Sequence, residues 1–110
     1  MNTSLRELQI VLADRVRLLS KQLDNVSNPD EAKKILDEMQ EFNHRVTLVG
    51  SLLFRQQSQE LDQKVEAVRQ AKSKVDRAIK NSEDLANMLQ VVSDFLALAD
   101  EVIDLAKVLL

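Results

Sequence analysis

The stretch from Asn28 to Leu53, NPDEAKKILDEMQEFNHRVTLVGSLL, is the clearest indication of the fold class of this chain. Asn28 suits the N-cap of a helix and Pro29 its first position, and the two acids that follow face the positive helix end. Apolar residues then recur at alternating spacings of three and four, the coiled-coil-like heptad of a helix that packs on a partner helix. This seam consists of Ala32, Ile35, Met39, Phe42, Val46, Val49 and Leu53.

The residues before this stretch predict another amphipathic helix, over residues 4–26. Ser4 and Glu7 match a capping box, in which each side chain bonds the backbone amide of the other residue. An apolar stripe then stays on one face for about six turns. The stripe consists of Leu5, Leu8, Leu12, Val16, Leu19, Leu23 and Val26.

The C-terminal half predicts two more helices, over residues 59–80 and 83–110. Asn81 is expected in a left-handed conformation where the first of them ends, and Ser82 is expected to cap the second. The segment 64–80 carries six bases and two acids, whereas 83–110 carries six acids and one base. This asymmetry predicts that the two helices form a hairpin with charge pairs selecting its register.

The joint after the second helix is ambiguous, because residues 54–60, FRQQSQE, contain neither Gly nor Pro. If the second helix ends near residue 56, the chain closes as an up-down four-helix bundle. If residues 29–80 form one continuous helix, the result is a long-central-helix variant whose seams need a second chain. Both alternatives are all-α, and both treat 1–110 as a single helical domain.

Composition excludes several classes of protein. The 110 residues include one Gly, one Pro and no Cys, which argues against an all-β fold, a phosphate-binding loop, disulfides and thiolate metal sites. The net charge of −3 argues against nucleic acid as a partner. Charges interrupt every apolar stretch, so neither a signal peptide nor a membrane span is predicted, and a cytoplasmic location is expected.

No catalytic, cofactor or metal site is predicted, and the chain is not expected to be an enzyme. Glu41 and His44 have the spacing used on one helix face in di-iron bundles. However, the chain has a single His, and both residues fall at outward positions of the heptad. They are therefore interpreted as surface residues.

The most suggestive stretch for an interface surrounds Gly50. Leu48, Leu52 and Phe54 lie off the heptad seam, so this part of the helix is apolar nearly all round. A Gly inside a helix costs about 1 kcal/mol relative to Ala, which makes sense where another backbone approaches closely. These four residues are the candidate interface, and the sequence leaves open whether they are buried within one chain or contact a subunit or partner.

These observations favour a non-catalytic protein–protein interaction module. Its class would be a small acidic helical adaptor, a chaperone-like protein or an inhibitor/immunity-type protein, with a basic protein as the preferred partner. A homo-oligomer is expected, with a dimer favoured. The alternatives are a self-assembling coiled-coil structural component and, less favoured, an amphipathic helical protein at a membrane surface, although a membrane partner is not expected.

Overall fold

A computed structural model of the protein describes residues 1–81 and 83–110. Within these residues the chain is helical and contains no strand, which confirms the all-α class. The helices are α1 (Thr3–Leu23), α2 (Pro29–Gly50), α3 (Gln59–Gln70), α4 (Lys72–Lys80) and α5 (Leu85–Val108).

α3 and α4 form one rod that is interrupted at Ala71. The Ala71 amide still donates to Ala67 O at 3.3 Å, and its carbonyl accepts from Val75 N at 3.2 Å, so helical hydrogen bonding continues. Its ψ of −6° departs from the α-helical value of about −42°, which distorts this turn. The described residues therefore make four rods in a globule measuring 46 × 22 × 17 Å.

The four rods pack as two hairpins laid side by side. α1 packs along α2, and the α3–α4 rod packs along α5. Between the hairpins, α1 lies beside α3–α4 and α2 lies beside α5. The ion pairs Glu7–Arg69 and Arg15–Asp76 advance together along α1 and α3–α4, so these two rods run parallel. Each hairpin is antiparallel, and the contacts between the hairpins are parallel.

The connection between the hairpins resolves the ambiguous joint of the sequence. α2 ends at Gly50 and residues 51–58 turn without forming a helix, so the continuous helix over 29–80 is not formed. The chain passes here from α2 to α3, which lie diagonally opposite each other. Eight residues can span roughly 26 Å when extended. That reach exceeds the diagonal between rods packed about 10 Å apart.

One apolar core fills the space between the four rods. Phe42 of α2 and Phe95 of α5 meet at its centre, with ring centroids 6.2 Å apart. Of the predicted seam of α2, three residues are buried and the others are half-buried. The buried ones are Ile35, Phe42 and Val49, and the half-buried ones are Ala32, Met39, Val46 and Leu53.

The capping box predicted at Ser4 and Glu7 is wrong. α1 begins one residue earlier, and Asn2 caps it by accepting from Leu5 N at 3.0 Å. The Ser4 hydroxyl bonds Asp62 of α3 instead, and the Glu7 carboxylate pairs with Arg69 Nε at 2.7 Å. Tertiary partners on α3 thus replace the local reciprocal bonds that the sequence motif suggests.

The other predicted caps have mixed outcomes. Asn28 caps α2 by accepting from Asp30 N at 2.8 Å, which confirms that prediction. Asn81 has φ −88° and ψ 91°, so its predicted left-handed conformation is wrong. The cap predicted at Ser82 lies outside the described residues, and within them Asp84 caps α5 by accepting from Asn87 N at 3.0 Å.

The charge pairing predicted within the second hairpin is also wrong for the described residues. Arg69 and Asp76 of the α3–α4 rod form their inter-rod ion pairs with α1, not with α5. Asp100 of α5 pairs with Arg45 of α2. The α3–α4 rod and α5 meet through apolar side chains, and the inter-rod ion pairs instead join one hairpin to the other.

Candidate interaction surfaces

The structure separates the four residues of the predicted interface. Leu48 and Gly50 are half-buried near the end of α2. Leu52 is only 5% exposed and belongs to the core of its own chain. Phe54 is 87% exposed at the tip of the turn that follows α2. Of the four, Leu52 is not available to a partner, and Phe54 is fully available.

Gly50 faces a side chain of its own chain. A Cβ added to Gly50 would stand 3.0 Å from Nε2 of Gln9 on α1, a contact tighter than most Cβ atoms make. That amide nitrogen donates to the carbonyl of Val46 at 3.3 Å. The close approach inferred from the glycine is therefore made by a side chain of α1, and the expected approach of another backbone is not what the structure has.

Hydrogen bonds hold the turn that carries Phe54. The amide of Asn2 donates to Leu53 O at 2.6 Å, and Asn2 Nδ2 donates to the carbonyls of Arg55 and Gln56 at 3.2 and 3.3 Å. Asn2 is 1% exposed, so these bonds are shielded from water. They fix the backbone on both sides of Phe54 while its ring points into solvent.

The C-terminal residues are fastened to the same turn. Gln56 N donates to Leu110 O at 2.6 Å, and Arg55 Nη1 donates to Leu109 O at 3.1 Å. Other large apolar side chains at this end of the molecule are also exposed, and we call the set the Phe54 end. It consists of Met1, Phe54, Val108 and Leu110.

A second surface feature is a polar groove of about 400 Å³ between α2 and α5. Arg45 crosses it, with its Nε 2.7 Å from Asp100 Oδ1 and its Nη1 2.8 Å from Glu41 Oε2. The hydrogen bond to Asp100 is the main cause that raises the pKa of Arg45 and keeps its guanidinium charged. The groove is lined by Glu38, Glu41, Arg45, Ser93, Leu96, Ala97 and Asp100.

The surroundings of Glu38 in this groove disfavour the charged form of its carboxyl. Partial burial raises the pKa of its carboxyl above the ordinary value, and the nearby charges of Glu41 and Asp37 raise it further. The positive charge of Arg45 opposes this effect without cancelling it. Because Arg45 is already engaged by Glu41 and Asp100, the negative charge of Glu38 is poorly compensated.

The Glu41 and His44 pair does not converge on a common point. The Glu41 carboxylate is bound to Arg45, and His44 is exposed on the surface of α2. In the part of the chain that the structure describes, no group of three or more His, Asp or Glu side chains comes together as a metal site.

Sequence reasoning missed two buried polar residues: Asn2, which holds the turn that carries Phe54, and Arg15, which pairs with Asp76 between α1 and α4. Asn2 stands three residues before Leu5, which is the spacing of an N-cap, and this signal was available beside that of Ser4. Arg15 also keeps the three-and-four spacing between Leu12 and Leu19, so it occupies a seam position. Because Arg15 is charged, apolar spacing alone does not mark this position as buried.

No protein-family model, curated protein or solved structure matches this chain. Among residues 1–81 and 83–110, no helix combines the length and the apolar character needed to span a membrane.

Proposed function

We propose that this chain is a non-catalytic protein-interaction module that contacts its partner through the Phe54 end. The observation that carries this proposal is the exposure of Phe54. The other two phenylalanines of the chain, Phe42 and Phe95, are buried in the core, whereas Phe54 is 87% exposed. Aromatic side chains dominate the energetics of protein interfaces, and an exposed one on a held backbone is suited to anchor a contact.

The rigidity of the turn supports this role. Asn2 donates to the carbonyl of Leu53 before Phe54 and to those of Arg55 and Gln56 after it, so little backbone freedom remains to be lost when Phe54 is covered. Binding by a preorganised segment avoids much of the entropy cost of ordering a loop. Met1 precedes Asn2 and Leu110 O accepts from Gln56 N, so two more exposed apolar residues lie at the same end of the molecule as Phe54, where they can contribute to an interface core.

The class that fits these features best is a small acidic helical protein of the adaptor, chaperone-like or inhibitor/immunity type, acting in the cytoplasm. We propose a homodimer through the Phe54 end, because a two-fold contact would bury the same exposed apolar patch on both chains. A different, basic protein is the alternative partner, since the net charge of −3 would raise the rate at which it associates with the chain.

The test is the solution mass and a crosslink. Light scattering coupled to size exclusion should give twice the chain mass of 12.5 kDa for the wild type and the monomer mass for Phe54→Ser. Leu36→Ser is the matched control, because Leu36 is another exposed apolar residue but lies on the middle of α2. Its mass should equal that of the wild type.

A photo-crosslinking residue placed at position 54 distinguishes the kinds of partner. A crosslink to a second copy supports the homodimer, and a discrete crosslink to one other protein supports the module with a different partner. If position 54 gives no discrete product, or the same products as position 36, and Phe54→Ser leaves the mass unchanged, the proposed function is wrong.

A further inference from the structure

A surface groove lies between α4 and α5, away from the Phe54 end. Its deeper part is a pocket of about 150 Å³ whose walls are apolar and whose rim carries Lys74 and Asp94. A shallower part of about 220 Å³ continues from it, since both parts are lined by Lys74 and Val91. We call the two parts together the α4–α5 groove. The apolar walls are Ala71, Val75, Val91, Phe95 and Leu98.

The pocket lies where the α3–α4 rod is interrupted. Ala71, whose ψ of −6° breaks the regular helix, contributes only a methyl group to the wall. Val75 follows one turn later, and Val91 and Phe95 face it from α5. The small side chain at the interruption leaves unfilled apolar space at the surface of an otherwise closely packed hairpin.

The size of the pocket indicates which kind of side chain can fill it. A protein cavity of about 150 Å³ lined by aliphatic and aromatic groups stays dry and takes a benzene-sized molecule. A Leu, Ile, Met or Phe side chain has comparable bulk. Because this pocket opens to solvent, such a side chain can enter it from another molecule.

The charges beside the pocket indicate what surrounds that side chain. Lys74 and Arg77 stand one turn apart on the α4 wall, and both are exposed. Among the described residues neither forms an ion pair, and Arg77 makes only a long bond of 3.4 Å from Nε to Ser73 O. On the α5 wall, Asp94 accepts from Gln90 Nε2 at 3.0 Å.

We propose that the α4–α5 groove binds an acidic amphipathic helix of a protein partner. One large apolar side chain of that helix fills the pocket, and carboxylates one turn away pair with Lys74 and Arg77. The chain as a whole is acidic, but screening limits charge interactions to about 8–10 Å at physiological salt. The two bases beside the groove therefore determine the charge of the ligand that it attracts. Asp94 on the opposite wall would repel any anion beside α5. A helix can present carboxylates to α4 alone, whereas a nucleic-acid strand carries a phosphate at every nucleotide, so the groove favours a peptide.

This inference shares with the proposed function the premise that the partner is a protein, but it uses a different face and different residues. With both surfaces occupied, the chain would join two proteins. The Phe54 end supplies an apolar anchor, whereas the α4–α5 groove supplies a socket with positive charge. An adaptor needs two such separate sites.

The test is a selection from a displayed library of helical peptides about 14 residues long. The central position is Ala, Leu or Phe, and the positions one turn away are Glu or Lys. The wild-type protein should retain peptides with a central Leu or Phe and flanking Glu. Against a retained peptide, Lys74→Glu combined with Arg77→Glu should weaken binding by about tenfold or more, as loss of two charge pairs and gain of repulsion implies.

The matched control is Lys21→Glu combined with Lys34→Glu, which changes the net charge equally with exposed residues of α1 and α2. It should weaken binding far less, and Phe54→Ser should leave peptide binding unchanged. The proposal is overturned if the library yields no peptide, if Lys is enriched over Glu, or if both double variants weaken binding equally. It is also overturned if the wild type binds a single-stranded oligonucleotide and Lys74→Glu combined with Arg77→Glu abolishes that binding instead of peptide binding. A normal crosslink at position 54 in any of these cases leaves the proposed function standing.

Discussion

At the scale of single residues, Glu38 carries a charge that the folded state disfavours. Its pKa is raised from the ordinary value of 4.5, first by partial burial and then by the like charges of Glu41 and Asp37. Below that value the side chain is protonated in both states and has no effect. As the pH rises, the unfolded chain ionises first, so the fold loses stability until the folded state ionises as well.

We therefore expect Glu38→Gln to stabilise the protein at pH 7. The gain in the free energy of unfolding should stay below about 1 kcal/mol, because water screens this half-exposed group. Urea unfolding followed by circular dichroism at pH 7 and at pH 3.5 measures it, and the gain should vanish at the lower pH. Glu60→Gln is the control, since Glu60 lies in the first turn of α3, where an acid is favourable. A gain of equal size at both pH values would show that charge is not its cause.

Residue-level prediction succeeds where the cause is local. Asn28 precedes Pro29 and two acids, and its capping bond involves only its own turn, so the sequence is sufficient. Asn2 is different, because Ser4 offers an equally good local cap. The competition is decided by Asp62 and by the carbonyls of the turn after α2, which lie far away in the sequence.

At the scale of elements, the pairing of α1 with α4 depends on a buried ion pair. Arg15 is 4% exposed and donates from Nε and Nη2 to Asp76 at 3.1 and 2.9 Å. Its Nη1 also donates to Val11 O at 2.8 Å, so the guanidinium is well satisfied. A buried charge is costly when its partner is removed. This contact therefore selects which rod lies beside α1.

We expect Asp76→Asn to lower the free energy of unfolding by about 2–3 kcal/mol, because Arg15 stays buried without a counter-charge while Asp76 retains some contact with water. Asp14→Asn breaks an exposed pair with Arg17 and should change stability by less than about 0.5 kcal/mol. Chemical unfolding of the two variants side by side measures the difference. Equal effects would contradict a structural role for the Arg15–Asp76 pair.

At the scale of the whole molecule, both hairpins share one core. Phe42 of the first hairpin packs on Phe95 of the second, and both are almost fully excluded from water. Because neither hairpin can bury its apolar face alone, we infer that the two unfold together. The long dimension of 46 Å and the short one of 17 Å leave room for no second core among the described residues.

Phe42→Ala should accordingly destabilise every helix. The expected loss is about 3–5 kcal/mol, from lost transfer energy and the cavity left behind. Hydrogen exchange should report equal loss of protection in α2 and in α3–α4, although the substitution lies in α2. Leu36→Ala, at an exposed apolar residue of the same helix, is the control and should leave protection unchanged. Retained protection in α3–α4 would mean that the hairpins unfold independently.

Propensity, capping and apolar spacing act within a few turns, so the sequence predicts the helical class, the helix that begins at Pro29 and much of the buried seam. The turn over residues 51–58 depends on contacts distant in sequence, since hydrogen bonds from Asn2 and to Leu110 hold residues that are otherwise good helix formers. The spacing of apolar and charged residues likewise does not predict that α1 packs parallel to α3–α4. Exposed charges are compatible with several partners, whereas the buried Arg15 needs a counter-charge, which Asp76 of the α3–α4 rod supplies.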